Sequence, residues 1–183
     1  MKLTAALLAI LAGTTVLSAS SDTPPLKLVD EVDLSRYAGQ WYEVARLPNR
    51  FQRNCVGDVT ATYTRKPNGE IAVVNRCRKA DGSWNEAEGL ARLAGDGKTN
   101  AALEVRFAPA ILSFLPNVWG DYRIIGLDPD YRWAVVGEPK REYLWILSRT
   151  PEMTADDYDR AVGIAKDNGF DVSKLQRTPQ GSS

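Results

Sequence analysis

The segment GQWYEVAR at residues 39–46 decides the fold, because it begins a series of short strand-like stretches that continues along most of the chain. Turn residues such as Asn68-Gly69 separate one stretch from the next. A closed barrel of about eight strands is wide enough to hold one small ligand. The sequence therefore predicts an all-β fold, an antiparallel barrel or sandwich of about eight strands, with strands at residues 41–47, 56–65, 71–78, 84–93, 102–107, 119–127, 132–136 and 143–148.

One α-helix is expected after the last strand. Thr154 is a suitable N-cap, and Asp157 three residues later completes an acidic form of the capping box. Gly169 supplies the left-handed residue that ends the helix. A narrow stripe of mostly small apolar residues predicts that this helix lies against the outside of a sheet; the stripe consists of Tyr158, Ala161, Val162 and Ala165.

Three short motifs, in the right order and at suitable spacing, resemble the signatures of the lipocalin family. Gly39-Gln40-Trp41 resembles the G-x-W motif that opens the first strand. Pro129-Asp130-Tyr131 resembles the T-D-Y turn, with proline in place of threonine, and Arg149 resembles the third signature. The resemblance covers nearly the whole mature chain and is nearest to the bacterial lipocalins, which are similar to apolipoprotein D. It implies an eight-stranded antiparallel up-and-down β-barrel with one C-terminal α-helix packed outside.

The signature residues Gly39, Trp41, Asp130, Tyr131 and Arg149 are expected to be structural. An indole at the base shuts one end of a barrel, and a guanidinium can stack over it and hydrogen-bond backbone carbonyls. Trp41 and Arg149 are therefore expected to form a plug. Asp130 is expected to accept backbone N–H groups in its turn.

If Trp41 and Arg149 point inward, strand alternation assigns the inner wall. Trp145 then points inward while Ile146 lies beneath the helix, and Ala45 points inward on the first strand. The base layer is expected to fill the core and the upper layer to line a cavity. The ligand-binding residues expected on this basis are Glu43, Tyr63, Val73, Phe107, Ile124, Trp133, Tyr143 and Trp145.

An uncharged apolar loop at residues 108–116 is expected at the mouth, the end of the barrel opposite Trp41. Exposed apolar loops mark interaction sites. The loop is therefore expected to make either a transient membrane contact or a homodimer contact, and a lid folded inward is the remaining interpretation. The residues that would make this contact are Ile111, Leu112, Phe114 and Leu115.

The first 20 residues have the pattern of a cleaved secretory signal, with Lys2, an apolar run at residues 3–16 and small residues around Ser20. Residues 21–183 are then expected to form a single domain. No cysteine lies near the expected cleavage point to carry a lipid anchor. A periplasmic or secreted protein is therefore expected, with outer-membrane association as an alternative.

The two cysteines, Cys55 and Cys77, are an even pair in a chain expected to be exported. An oxidising compartment favours a disulfide between them over two separate buried thiols. They lie near the mouth ends of neighbouring strands in the expected layout, which makes the bond plausible.

The composition argues against most enzymes. The chain has no histidine, which removes Ser-His-Asp and Cys-His catalysis and most zinc sites. No phosphate-binding or dinucleotide-binding motif is present, so no catalytic residue, metal or cofactor is expected. The one alternative is a lipocalin-fold enzyme that acts on a bound lipid through Glu43 and a tyrosine.

The resemblance implies a lipid carrier or store, holding fatty acid or lysophospholipid for maintenance of the cell envelope. Formal net charge is zero and no basic tract is present, which argues against a nucleic-acid partner.

Overall fold

The computed structural model describes residues 24–95, 99–108 and 118–181. The expected export signal at residues 1–20 lies outside these ranges. The four residues expected to make contacts from the mouth loop, Ile111, Leu112, Phe114 and Leu115, also lie outside them.

Within the described ranges, eight antiparallel strands form one closed sheet. A one-turn helix α1 (Leu34–Tyr37) precedes them. The strands are β1 (Gly39–Arg46), β2 (Cys55–Arg65), β3 (Ile71–Lys79), β4 (Trp84–Leu93), β5 (Ala102–Arg106), β6 (Gly120–Leu127), β7 (Trp133–Gly137) and β8 (Leu144–Ser148). Each strand pairs with the next, and β1 pairs with both β2 and β8, so the sheet closes. The predicted eight-stranded up-and-down barrel is confirmed.

The barrel wall separates two apolar clusters, one inside and one outside. On β8, Leu147 and Trp145 contact the inner cluster, whereas Leu144 and Ile146 belong to the outer one. This is the alternation expected of a strand that is covered on both faces.

Helix α2 (Ala155–Asp167) covers the outer cluster and packs on β6 and β7. The hydroxyl of Thr154 accepts a hydrogen bond from the Asp157 backbone N–H at 3.2 Å, so the predicted N-cap is present. Ala161 and Ala165 are fully buried, and their small side chains let the helix lie close to the sheet. Gly169 has a φ of +83° just after the helix, as its capping role requires.

The base of the barrel is shut by an indole and a guanidinium. The guanidinium of Arg149 lies 3.8 Å from the ring centroid of Trp41, which is fully buried. Arg149 also donates hydrogen bonds to several backbone carbonyls, including that of Gln40 at 2.9 Å and that of Tyr37 at 3.1 Å. Gly39 has a φ of +96°, and a Cβ there would lie 3.3 Å from Arg149 Nη1. The first signature glycine is therefore required by both its backbone and its neighbour.

The turn between β6 and β7 is held by a different aspartate from the one expected. Asp128 Oδ2 accepts hydrogen bonds from the backbone N–H groups of Asp130 and Arg132 at 3.0 and 3.2 Å. The expectation that Asp130 accepts these bonds was wrong, because Asp128 begins the turn and its side chain folds over the residues that follow. Tyr131 instead reaches α1, where its hydroxyl accepts from the Asp33 N–H at 2.8 Å.

Two residues expected on the inner wall point outward. Trp133 lies in the outer cluster, because it is opposite Ser148 while its neighbour Ala134 is opposite the inward Leu147. Directly opposed residues share a face of the sheet. Ala45 also joins the outer cluster, because the register of β1 shifts between Glu43 and Ala45.

The predicted disulfide between Cys55 and Cys77 is present, with the two Cα atoms 5.6 Å apart. It joins the mouth ends of β2 and β3, which are neighbours in the sheet. The bond fixes the start of β2, where the register is irregular.

The C-terminal tail, residues 176–181, joins β1 to β2 where these two strands stop pairing directly, and we call this join the seam. The sequence did not predict the contribution of the tail. Pairing between β1 and β2 ends at Tyr42. Beyond Tyr42, towards the mouth, the short strand β9 (Gln176–Arg177) pairs with β1. The Pro179 carbonyl accepts a hydrogen bond from the Asp58 N–H at 2.8 Å. The side chain of Gln180 donates to carbonyls on both strands, those of Glu43 and Val59. The tail therefore acts as a strap between the two strands.

Candidate functional site

The interior of the barrel is the candidate binding site, and its lower part is filled. Trp41 and Ile124 are fully buried in the inner cluster, and Val73 is nearly so. Close packing by such large apolar side chains leaves little room at the base. The lower layer is therefore packed core, and only its upper surface can meet a ligand.

Small side chains on β4 make the wall thinner higher up. Ala87, Gly89 and Ala91 face inward, because they lie opposite the inner-face positions of β3. The ring of Phe107 lies over Gly89, where an added Cβ would be 2.8 Å from a ring carbon. Phe107 is 42% exposed although it is apolar. The Phe107 ring therefore covers the small side chains on this part of the inner wall.

An aromatic ladder, formed by Phe51, Tyr143 and Trp145, leads from the mouth into the barrel. The Phe51 and Tyr143 rings are 5.4 Å apart, and Tyr143 stacks on Trp145 at 6.1 Å with 19° between the planes. Phe51 is 62% exposed, whereas Trp145 packs against the inner cluster. The ladder gives a ligand a continuous apolar surface from solvent to the interior.

Glu43 is buried, but its carboxylate is fully engaged. Arg46 donates to Oε1 at 3.1 Å, the hydroxyl of Thr178 donates to the same oxygen, and Gln52 donates to Oε2. Gln52 in turn accepts from the indole N–H of Trp145 at 2.9 Å. Glu43 therefore holds together the tail, the first mouth loop and the aromatic ladder.

A tyrosine chain, formed by Tyr37, Tyr122 and Tyr63, lies inside the lower half of the barrel. The hydroxyl of Tyr122 is 2.7 Å from that of Tyr37 and 2.9 Å from that of Tyr63. Burial raises the pKa of Tyr63 to about 12 and raises the pKa values of Tyr37 and Tyr122 well above their ordinary value. The three phenols are therefore neutral hydrogen-bonding groups at physiological pH.

This burial predicts a loss of stability in alkali. The unfolded chain ionises Tyr63 near pH 10.0, but the folded chain does so only at about 12. Stability is therefore complete below the unfolded pKa and falls as the pH rises between these two values. In a spectroscopic pH titration, three of the seven tyrosines should form phenolate late or together with unfolding. In denaturant all seven should titrate together, and the same behaviour in the folded protein would contradict the prediction.

The structure brings most of the expected lining residues to the inner wall and adds others. Tyr63, Val73 and Ile124 lie in the inner cluster, and Trp145 packs against it. Tyr37 and Tyr122 were missed. Tyr37 is in the one-turn helix α1, which no periodicity signals, and Tyr122 could have been found by counting back two residues from the inward Ile124.

The outer surface has a separate groove of about 510 Å³ on the side away from the helix. Its walls are outward-facing positions of β1 to β4 together with the tail, among them Tyr42, Thr60 and Trp84. Within residues 24–95, 99–108 and 118–181, no group of three or more acidic, cysteine or histidine side chains could hold a metal ion. No helix in this part of the chain is long and apolar enough to cross a membrane.

A closed antiparallel barrel with a plugged base, an apolar inner wall and a helix packed outside defines a class of small β-barrel proteins. A family model described as "Lipocalin-like domain" matches residues 32–180. The chain belongs to the lipocalin family, whose members bind small hydrophobic ligands.

Relatives from distant organisms cover most of the chain. "Outer membrane lipoprotein Blc" of Escherichia coli (strain K12) is 42% identical over 163 residues, which is 87% of each chain. "Temperature-induced lipocalin-1" of Arabidopsis thaliana is 42% identical over 156 residues, 85% of this chain and 83% of the relative. Apolipoprotein D of Mus musculus is 28% identical over 86% of this chain and 81% of its own. These relatives confirm the resemblance to bacterial lipocalins and apolipoprotein D.

A solved structure has the same fold. Insecticyanin from the tobacco hornworm, Manduca sexta, superimposes with a TM-score of 0.69 at 22% identity, covering 87% of this chain and 86% of its own.

Proposed function

We propose that this protein binds a lipid, such as a fatty acid or a lysophospholipid, inside the barrel, and stores or transports it in the cell envelope. The observation that carries the proposal is the apolar path from exposed Phe51 through Tyr143 and Trp145 to the inner wall. Long hydrocarbon chains gain free energy in proportion to the apolar area that they remove from water. A path of this kind suits an extended acyl chain.

The proposed ligand-contacting residues are those expected from the sequence that face the interior. They are Tyr63, Val73, Phe107, Ile124, Tyr143 and Trp145. Trp133 is removed from the set, because it lies beneath the helix. Glu43 is proposed to position Gln52 and Arg46 instead of contacting the ligand, because both of its oxygens are already bonded.

The cellular setting is proposed to be the periplasm or the exterior. The pattern of residues 1–20 supports export, and residues 21–183 are proposed to be the mature domain. The relatives named outer membrane lipoprotein support a role in the envelope.

We propose binding and not catalysis. A general base must reach the proton that it abstracts. Glu43 is instead held by Arg46, Thr178 and Gln52. The competing hypothesis, an enzyme that turns over a bound lipid, predicts that a ligand identified in the barrel is chemically changed with time.

The test is organic extraction of the purified protein followed by mass spectrometry. We expect an acyl lipid in near-stoichiometric amount, recovered unchanged after incubation. Ala87→Trp, which puts a large ring on the inner face of β4, is expected to lower lipid content at least about tenfold, equivalent to ~1.4 kcal/mol of binding. Glu88→Trp is the matched control, because Glu88 is the next residue on the same strand and is exposed on the outer face. Equal lipid content in the two variants would place the ligand elsewhere.

The mouth is proposed to touch the membrane during lipid transfer, through the apolar residues Ile111, Leu112, Phe114 and Leu115. The exposed ring of Phe51, with the Arg50 guanidinium 5.0 Å from its centroid, supports this orientation. Apolar side chains that enter the interface contribute binding free energy by leaving water.

Changing both Ile111 and Phe114 to serine is expected to slow lipid transfer from vesicles, while the free energy of unfolding stays nearly unchanged. Because net charge is zero, the transfer rate should depend little on salt. If transfer is unaltered but a wild-type dimer becomes a monomer on sedimentation, the loop is a homodimer contact instead.

A further inference from the structure

The tyrosine chain has one proton that its own hydrogen bonds do not use. Three phenol hydroxyls carry three protons, and the chain contains two hydrogen bonds, each of which uses one. Whichever way the bonds run, one O–H has no acceptor within the chain. None of the other described residues makes a hydrogen bond to any of these three hydroxyls. Buried tyrosine hydroxyls normally find a partner, so the interior offers an unmatched donor.

The unmatched donor persists at physiological pH. Burial holds the pKa of Tyr63 at about 12 and those of the other two phenols well above their ordinary value. All three hydroxyls therefore keep their protons. Tyr122, which bonds to both of the others, is partly buried, whereas Tyr37 and Tyr63 are buried.

Asn75 provides an unmatched acceptor nearby. It lies opposite Ala61 on β2 and Ala87 on β4, and its Oδ1 receives no hydrogen bond from the described part of the chain. Tyr63 lies opposite Val73, two residues from Asn75, so the two are diagonal neighbours with Cα atoms roughly 7–8 Å apart. The alanines beside Asn75 are small, and its terminal torsion turns at little cost, so the amide can meet a ligand.

We propose that the inward end of the bound lipid carries an uncharged hydroxyl group, as in a fatty alcohol or a monoacylglycerol. This hydroxyl accepts the unmatched proton of the tyrosine chain and donates its own proton to Asn75 Oδ1. The inference rests on the proposed lipid binding, and it favours a lipid with an uncharged hydroxyl over the fatty acid named there. One hydroxyl satisfies both groups, because it is a donor and an acceptor at once.

An ionised carboxylate fits this position poorly. It accepts hydrogen bonds but has no proton to donate to Asn75. A buried charge also needs a neutralising partner. Arg46, which faces inward near the mouth, is already paired with Glu43 at 3.1 Å. Arg149 lies over the far side of the Trp41 plug and is bonded to backbone carbonyls.

The test compares four probes of equal chain length on delipidated protein: cetyl alcohol, its methyl ether, hexadecane and palmitate. Dissociation constants are measured by displacement of an apolar fluorescent dye. We expect the alcohol to bind about tenfold more tightly than the ether, because the ether cannot donate to Asn75. We expect the ether to bind more tightly than hexadecane, because it still accepts from the tyrosine chain.

Asn75→Leu should remove the preference for the alcohol over the ether while leaving the binding of hexadecane intact. Asn54→Leu is the matched control, because Asn54 is exposed in the first mouth loop. The triple variant Tyr37→Phe/Tyr63→Phe/Tyr122→Phe should remove the preference for the ether over hexadecane, because no phenol donor is then left. Circular dichroism checks that each variant is folded.

Equal dissociation constants for the four probes would overturn the inference and leave lipid binding in place. Tighter binding of palmitate than of the alcohol would overturn it as well, since it would show a site for an anion. Failure of all four probes to displace the dye would overturn the proposed function itself, and the inference with it.

Discussion

Replacing Trp41 with alanine is expected to lower the free energy of unfolding by about 3–5 kcal/mol, because a fully buried ring leaves a cavity that the barrel cannot close. The ring also lies 3.8 Å from the Arg149 guanidinium carbon, and its Nε1 donates to the Tyr37 carbonyl at 2.8 Å. The substitution therefore removes the ring that stacks on the guanidinium and one of the hydrogen bonds that the Tyr37 carbonyl accepts, while the bond from Arg149 to that carbonyl remains. Denaturant titration measures the loss.

Trp84→Ala is the control for this substitution. Trp84 is 47% exposed at the start of β4, and its ring contacts only the outer wall, where the Arg76 guanidinium is 4.1 Å from its centroid. Its loss should cost about 1 kcal/mol or less. If Trp41→Ala costs no more than Trp84→Ala, the base of the barrel is not a packed plug.

The second large effect concerns the disulfide. Changing both Cys55 and Cys77 to serine is expected to lower the free energy of unfolding by about 3 kcal/mol, because the bond closes a loop in the unfolded chain. The loop spans a sequence separation of 22. Denaturant titration with and without a reducing agent measures the effect.

Reductant should destabilise the wild-type protein and leave the double serine variant unchanged. The oxidised, unfolded wild-type protein should show no free thiol in a thiol assay. Two free thiols per chain would mean that the bond does not form.

The face of each residue could be predicted from the sequence only where a strand runs without interruption from a known point. On β8, counting back from Arg149 gives the correct faces of Leu147, Ile146 and Trp145. On β1 the same counting fails at Ala45, because the register shifts after Glu43. A one-residue shift moves a side chain to the opposite face, and nothing local in the sequence announces it.

Trp133 was predicted to lie on the wrong face of the sheet for a related reason. Its size and apolarity suit either face of the barrel wall, since helix α2 covers the outer face as thoroughly as the interior is filled. Its true face depends on pairing with β8, which is a tertiary property. The tyrosine chain and the C-terminal strap escaped prediction likewise, because each joins residues far apart in the sequence.

The strap determines when the barrel can close during synthesis of the chain. The first strand depends on the last residues of the described chain, since Thr178 donates to Glu43 across a separation of 135 residues. A nascent chain cannot finish the seam between β1 and β2 until residues 176–181 have been synthesised. Such distant pairings form slowly, because the loop between them must close first. The synthesis of residues 176–181 therefore sets the earliest moment at which the barrel can close along its whole length.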